Sequence, residues 1–225
     1  MNTIRFKFTR GEKLRFISHL DQQRLFQRAF RRAGLPMAHS NGFNPHPRLS
    51  FALAMSVGLT SDAEYGEVIL TEPVDLKDFI KRLNIALPGG LMVTEAWEER
   101  GKAPSLSASL TDSVFTVTVP LTRALTAEQI SEILADYLSQ GEVILNKRNK
   151  KGKLVAKNIR PLIKNLAMIA VDGGQATLEM DLAYIDQQSV KPELVLQTIN
   201  DTQGETFVID PTLRLHRKAL GLDVF

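Results

Sequence analysis

The stretch FISHLDQQRLFQRAFRRAGLP, residues 16–36, decides how the first half of the chain folds. Ser18 supplies the hydroxyl of a helix N-cap, and Asp21 stands three residues on, a variant of the capping box. Leu25, Phe26, Ala29, Phe30 and Ala33 then recur at the spacing of one helical face. Gly34 and Pro36 follow in the order that ends a helix. Arg24, Arg28, Arg31 and Arg32 share a second face, which at about 100° per residue is nearly opposite the apolar one. The segment predicts a helix that packs by one side and presents guanidinium groups on the other.

Working outward, Ile4-Arg5-Phe6-Lys7-Phe8 is apolar at every second residue, the period of a strand. Residues 11–14 read as a turn. Residues 41–48 predict a loop, because Asn41-Gly42 favours a turn and Asn44-Pro45 and His46-Pro47 favour extended backbone. Residues 49–57 and 66–71 read as strands. Residues 75–87 read as a helix that buries Phe79, Ile80 and Leu83 and stops at Pro88-Gly89-Gly90, and residues 91–98 as a strand. That order is β-α-β-β-α-β, the ferredoxin-like arrangement. Residues 101–111 are rich in Ser and Ala and read as a linker.

Beyond it, residues 114–120 read as a strand and 126–139 as a helix. Residues 143–148 and 154–163 flank a turn at Lys151-Gly152. Residues 166–171 and 176–184 form a hairpin, 191–200 a helix and 212–216 a last strand. The expected fold is α+β, two ferredoxin-like (βαββαβ) units in tandem, the second with an added strand. The expected organisation is one domain over 1–100, the linker, and a second domain over 112–225.

Composition limits the chemistry. The 225 residues contain no cysteine, so this chain cannot ligate an iron–sulfur cluster or a zinc ion through thiolates. No apolar run approaches the roughly 20 residues that span a bilayer. The first residues alternate and lack an apolar signal core, which leads us to expect a cytoplasmic protein. The net charge is only +3, yet it is unevenly spread. Between residues 10 and 48 stand eight basic residues and two acidic ones, and between 146 and 164 eight basic and none acidic. Residues 62–99 hold nine acidic and three basic. The two basic stretches suggest an anionic partner.

Three groups of residues carry the candidate chemistry. The arginine stripe is suited to phosphate, because each planar fork donates two parallel hydrogen bonds. In the loop, Asn44, His46 and Arg48 alternate and would point to one side of extended backbone, while Phe43 could stack on a base. Lys147, Arg148, Lys150, Lys151 and Lys153 surround a hairpin tip that could enter a groove or follow a phosphate backbone. His19, two residues from Asp21, and His46 are the candidates for acid–base catalysis. No spacing motif suggests a metal site. A phosphate loop and a Gly-x-Ser-x-Gly elbow are both missing from the sequence. We expect no cofactor on this chain.

RFISHLD (15–21), RAFRRAGLP (28–36) and GFNPHPR (42–48) together resemble the signature of the radical-SAM-linked protein family, a bacterial family of about this length. The resemblance implies an accessory protein whose partner is a radical SAM enzyme that carries the cluster itself. It transfers no catalytic residue. With the basic stretches, the expected function is an RNA-binding accessory protein working with a radical SAM enzyme in RNA modification or maturation. The expected partners are a structured RNA (tRNA or rRNA) and the radical SAM protein, with neither membrane nor specific DNA. Two alternatives stand beside it. One is a metal-independent RNA-processing or RNA-modifying enzyme using His19 or His46. The other is a protein-only adaptor whose basic helix docks on an acidic partner.

Overall fold

The computed structural model describes residues 2–99, 101, 103–148 and 152–223. The fold is mixed α+β, with mostly antiparallel strand pairing and four α-helices among the described residues. The chain divides into two compact units, Met1–Leu110 with Ala219–Phe225, and Thr111–Lys218.

The first unit runs β1 (Asn2–Arg10), α1 (His19–Arg32), β2 (Leu49–Phe51), β3 (Leu59–Leu70), α2 (Leu76–Ala86) and β4 (Leu91–Glu99). β1 lies between β4 and β3, antiparallel to both, and β2 pairs with β3 at Leu49↔Val68 through Phe51↔Gly66. The alternation of β1 puts Ile4, Phe6 and Phe8 into a core with Phe26, Ala29 and Phe30 of α1 and Phe79 and Leu83 of α2. Phe6 is the centre of this core. Its ring lies 5.7–6.1 Å from those of Phe8, Phe26, Phe30 and Phe79. Gly66 faces it across the strand pair, and a Cβ there would come within 2.3 Å of the ring, so only glycine fits.

The other face of β1 holds a charge. Arg5 is buried between Glu67 of β3 and Glu99 of β4, each 2.8 Å away, and donates to the Pro104 carbonyl at 2.5 Å. Leu106 and Ser109 are buried as well, so residues 103–110 pack into the first unit. β2 is shorter than the strand expected over 49–57, and β3 begins seven residues before the expected 66. The early part of β3 reads Thr60-Ser61-Asp62, with no apolar alternation to announce it. Pairing with β1, as at Arg10↔Ser61, makes it a strand.

Each helix of this unit is capped by an arginine of the other. Arg82 of α2 donates to the Ala33 carbonyl at 2.9 and 2.6 Å and to Gly34 at 2.7 Å, just past the end of α1. Arg32 of α1 donates to the carbonyl of Ala86, the last residue of α2. Helix C-termini leave carbonyls unsatisfied and favour cations, so both guanidinium groups are stabilising there.

The second unit contains β5 (Leu110–Pro120), α3 (Ala127–Ser139), β6 (Ile144–Arg148), β7 (Leu154–Asn158), β8 (Ile163–Asp172), β9 (Gln175–Ala183), α4 (Pro192–Gln203) and β10 (Arg214–Leu222), whose last residues are counted with the first unit. β9 lies between β5 and β8, antiparallel to both. Val117, Val119, Leu178, Met180 and Leu182 form the buried side. α3 opens with a capping box of Thr126 and Gln129, and Tyr137 meets Thr198 of α4 at 2.6 Å. Among the described residues β6 and β7 pair only with each other, as a separate ribbon.

Candidate nucleic-acid interface

α1 begins where the sequence predicts. The Ser18 hydroxyl accepts the Asp21 N–H at 3.1 Å, a cap of the first turn. It also donates to Asp21 Oδ2 at 2.7 Å, which holds that carboxyl below its ordinary value, with Arg24 adding to the effect. The helix buries Gln22, Phe26, Ala29 and Phe30. Arg24, Arg28 and Arg31 stand exposed on the opposite side, within about 60° of one another around the axis. Arg24 is 3.3 Å from Asp21. Arg28 and Arg31 have no hydrogen-bond or ion-pair partner among the described residues. Arg32 sits at the edge of the stripe and differs from the other three, because its guanidinium reaches α2.

The loop after α1 is pinned at its base and open at its tip. Ser40 N–H donates to the His46 carbonyl at 2.8 Å, His46 N–H to Ser40 Oγ at 2.9 Å, and Arg48 N–H to the Ala38 carbonyl at 2.8 Å. His39 and Pro47 form a β-bridge. Beyond this base Phe43 is fully exposed, and Asn44, His46 and Arg48 are exposed beside it. The His46 imidazole makes no hydrogen bond among the described residues. The turn at Gly42 has φ +122°, a conformation that favours glycine.

His19 is in a different setting. It opens α1 with its ring edge-on to Phe51, 5.8 Å between centroids, and its Nδ1 is buried without a hydrogen-bond partner among the described residues. Burial first, then the charge of Arg10, lowers its pKa below the ordinary value, and Glu64 opposes the shift. The neutral imidazole is therefore favoured. Arg10 lies fully buried and donates to the carbonyls of Leu59 and Ser56, each at 2.7 Å, and to Gln22 Oε1 at 3.2 Å. Among the described residues no three His, Asp or Glu side chains come together to hold a metal ion.

The β6–β7 ribbon exposes Lys147, Arg148 and Lys153, with Arg148 donating to the Gly152 carbonyl at 3.0 Å. Lys150 and Lys151 lie outside the described residues. Ile144, Leu154 and Val155 of the ribbon are exposed too. Two further basic residues of this stretch are engaged within the unit. Arg160 donates to the carbonyls of Leu138 and Ile163, and Lys164 pairs with Asp112 at 3.1 Å and Asp181 at 3.5 Å.

Residues 3–192 match the model of a family described as "Uncharacterized protein conserved in bacteria (DUF2344)". The chain belongs to this family. The matched span takes in α1, the 41–48 loop and the β6–β7 ribbon. No curated protein matches the chain. Among the solved structures that share its fold are the following two. One, described as "Crystal Structure of a Cbf5-Nop10-Gar1 Complex", matches with TM-score 0.53 and 9% identity over 97% of this chain and 48% of that one. The other, the archaeal box H/ACA sRNP Nop10–Cbf5 complex, matches with TM-score 0.51 and 7% identity over 98% and 48%. The chain thus spans about half the length of these structural neighbours. No helix among the described residues of this family member is long and apolar enough to cross a membrane.

Sequence reasoning missed three exposed apolar side chains near the start of α1: Phe16 (70% exposed), Leu20 (61%) and Val57 (58%). Leu20 carried a signal. It stands four residues before Arg24, on the polar face of the helix, where an apolar residue is out of place.

Proposed function

We propose that this protein is an RNA-binding accessory protein that works with a radical SAM enzyme in RNA modification or maturation. The observation that carries the proposal is the exposed row of Arg24, Arg28 and Arg31, two of them without any partner among the described residues. Like charges at this spacing repel one another. A polyanion relieves that repulsion and receives bidentate hydrogen bonds. The exposed Phe43–Arg48 side chains and the Lys147, Arg148 and Lys153 group supply further contacts of the same kind. Three things support the reading beyond the site. The fold is shared with a chain of an sRNP, a small ribonucleoprotein. The motifs at 15–21, 28–36 and 42–48 resemble the radical-SAM-linked family. The chain has no cysteine, so a cysteine-held cluster belongs on the partner. The β-α-β-β-α-β order of the first unit, with β1 between β4 and β3, supports reading it as ferredoxin-like.

The test is binding of bulk bacterial RNA to the full chain as a function of salt. Replacing Arg28 or Arg31 by Ala should weaken binding across sequences and lower the salt slope by about one each. Affinity that does not change with salt would sink the proposal. A partner retained from lysate after nuclease treatment and lost on charge reversal of the stripe would instead make the helix a protein-docking face.

One observation favours a second, enzymatic reading. Burial of His19 at the start of α1 favours its neutral imidazole, the form that can accept a proton, and leaves its Nδ1 without a hydrogen-bond partner among the described residues. RNA turnover by the isolated chain, lost in His19→Gln with the fold intact, would establish it. The same measurement on His46→Ala tests the other imidazole.

A further inference from the structure

We infer that the N-terminal end of α1 carries a stacking platform for an unpaired nucleobase, built on Phe16. The inference rests on the RNA-binding reading and deepens it: the form of RNA taken by this face is a single strand.

Phe16 lies just before the helix with most of its ring in solvent. Exposure alone would mean little, but this ring is held. The Arg15 guanidinium carbon sits 4.6 Å from its centroid, a cation–π contact. Arg15 is itself buried, its guanidinium paired once and its main chain held. Its Nη1 is 3.2 Å from Glu12 Oε2, and its carbonyl accepts the Gly58 N–H at 2.7 Å. One face of Phe16 is therefore covered by a fixed cation. Among the described residues no aromatic ring packs against it.

The surroundings match a nucleic-acid strand. Leu20 continues the line of Arg24, Arg28 and Arg31 toward Phe16, and Val57 adjoins Gly58 beside Arg15. From Leu20 to Arg31 this row runs about 16 Å at 1.5 Å per residue. It is apolar and aromatic at one end and cationic along the rest. A strand laid on it would meet guanidinium groups with its phosphates and a planar ring with a base. Proteins that bind single strands combine these same two elements, an electropositive track and an aromatic platform. In a duplex the bases are stacked on one another and their faces are closed to Phe16. The flat ring backed by a cation favours a base over an acidic protein surface, which would use the arginines but not the ring.

The variant Phe16→Trp places an indole at the platform, and the single native tryptophan, Trp97, serves as the background to subtract. The probes are a single-stranded oligouridylate and the same strand annealed to its oligoadenylate complement. The single strand should quench the introduced indole, and the duplex should not. Phe16→Ala should weaken single-strand binding about tenfold or more. Phe16→Leu, which keeps apolar area without a flat ring, should weaken it similarly, and neither should alter the salt slope. If the single strand binds with its salt dependence intact but neither the indole emission nor the Phe16→Ala affinity changes, the platform is overturned and the RNA-binding reading stands. If neither probe binds even at low salt, the RNA-binding reading fails and the platform with it. Loss of a nuclease-resistant protein complex in Phe16→Ala, with oligouridylate binding unchanged, would make the patch a protein contact and also overturn it.

Discussion

Arg5 and Arg10 of β1 are sealed inside the first unit, while Arg24, Arg28 and Arg31 of α1 stand in solvent. Every one is the same always-charged group, and they come from one short part of the chain. What differs is what surrounds them. Arg5 has two carboxylates and a carbonyl, and Arg10 has backbone oxygens and the Gln22 amide. Arg28 and Arg31 have solvent. A basic stretch is therefore not one feature. Of the arginines between residues 10 and 48, Arg10 and Arg15 are buried and Arg32 caps a neighbouring helix. In the basic stretch of the second unit Lys147 stands exposed while the Arg160 guanidinium is taken up by the Leu138 and Ile163 carbonyls. Counting charge overstates the surface open to an anion, and burial separates the arginines that build the fold from those free to bind.

The largest test of this division is Arg5→Met. It leaves Glu67 and Glu99 facing each other without their cation and should cost about 3 kcal/mol, read from the midpoint of urea unfolding. A loss below about 1 kcal/mol would mean that the buried pairs do not hold β1, β3 and β4 together.

A middle class should follow from the arginines that brace helix ends. Arg82→Ala frees the carbonyls of Ala33 and Gly34, and Arg160→Ala frees those of Leu138 and Ile163. Ala33, Gly34 and Leu138 are partly or fully exposed, so water can replace the donor there, and we expect about 1 kcal/mol from each variant in the same assay. An effect as large as that of Arg5 would merge the two classes.

His19 supplies a test in pH. Its folded pKa is depressed by burial and by Arg10, so the unfolded chain takes up this proton at higher pH than the fold does. Stability is accordingly full above the ordinary histidine value near 6.5 and falls as the pH drops through it toward the folded value. Comparing urea midpoints at about pH 8 and about pH 5, the fall should be smaller in His19→Gln than in the native chain. An equal fall in both would mean that Arg10 and the burial of His19 do not influence its titration.

The smallest stability effects should come from α1 itself. Arg24→Ala, Arg28→Ala and Arg31→Ala should each stay within about 0.5 kcal/mol of the native chain, because these side chains are exposed and the one ion pair among them, Arg24 with Asp21, is at the surface. A thermal melt checks this. A larger loss would place these arginines in the structural class and remove the main support for a binding face.

Much of the first unit was legible in the residues alone. The alternation Ile4-Phe6-Phe8 sets the inward face of β1, since a strand turns every second side chain to one side. Ser18 and Gly34 bound α1, because a hydroxyl satisfies its first amides and glycine at φ +62° turns the chain out of it. The two prolines after residue 44 keep the loop out of regular structure, and the lack of cysteine excludes thiolate ligands. Tertiary structure alone decided the rest. Arg10 counts in the sequence as one more charge of the basic stretch, yet carbonyls from residues 56 and 59 meet it inside. Arg32 belongs by spacing to the stripe, yet the end of α2 claims it. Phe16 stands in the RFISHLD motif with no local signal of its burial, and it is found in solvent over a buried arginine. In each case the deciding partner lies far away along the chain or depends on how the segments pack. Local periodicity states which face a side chain takes, but the environment that waits on that face is made by distant residues.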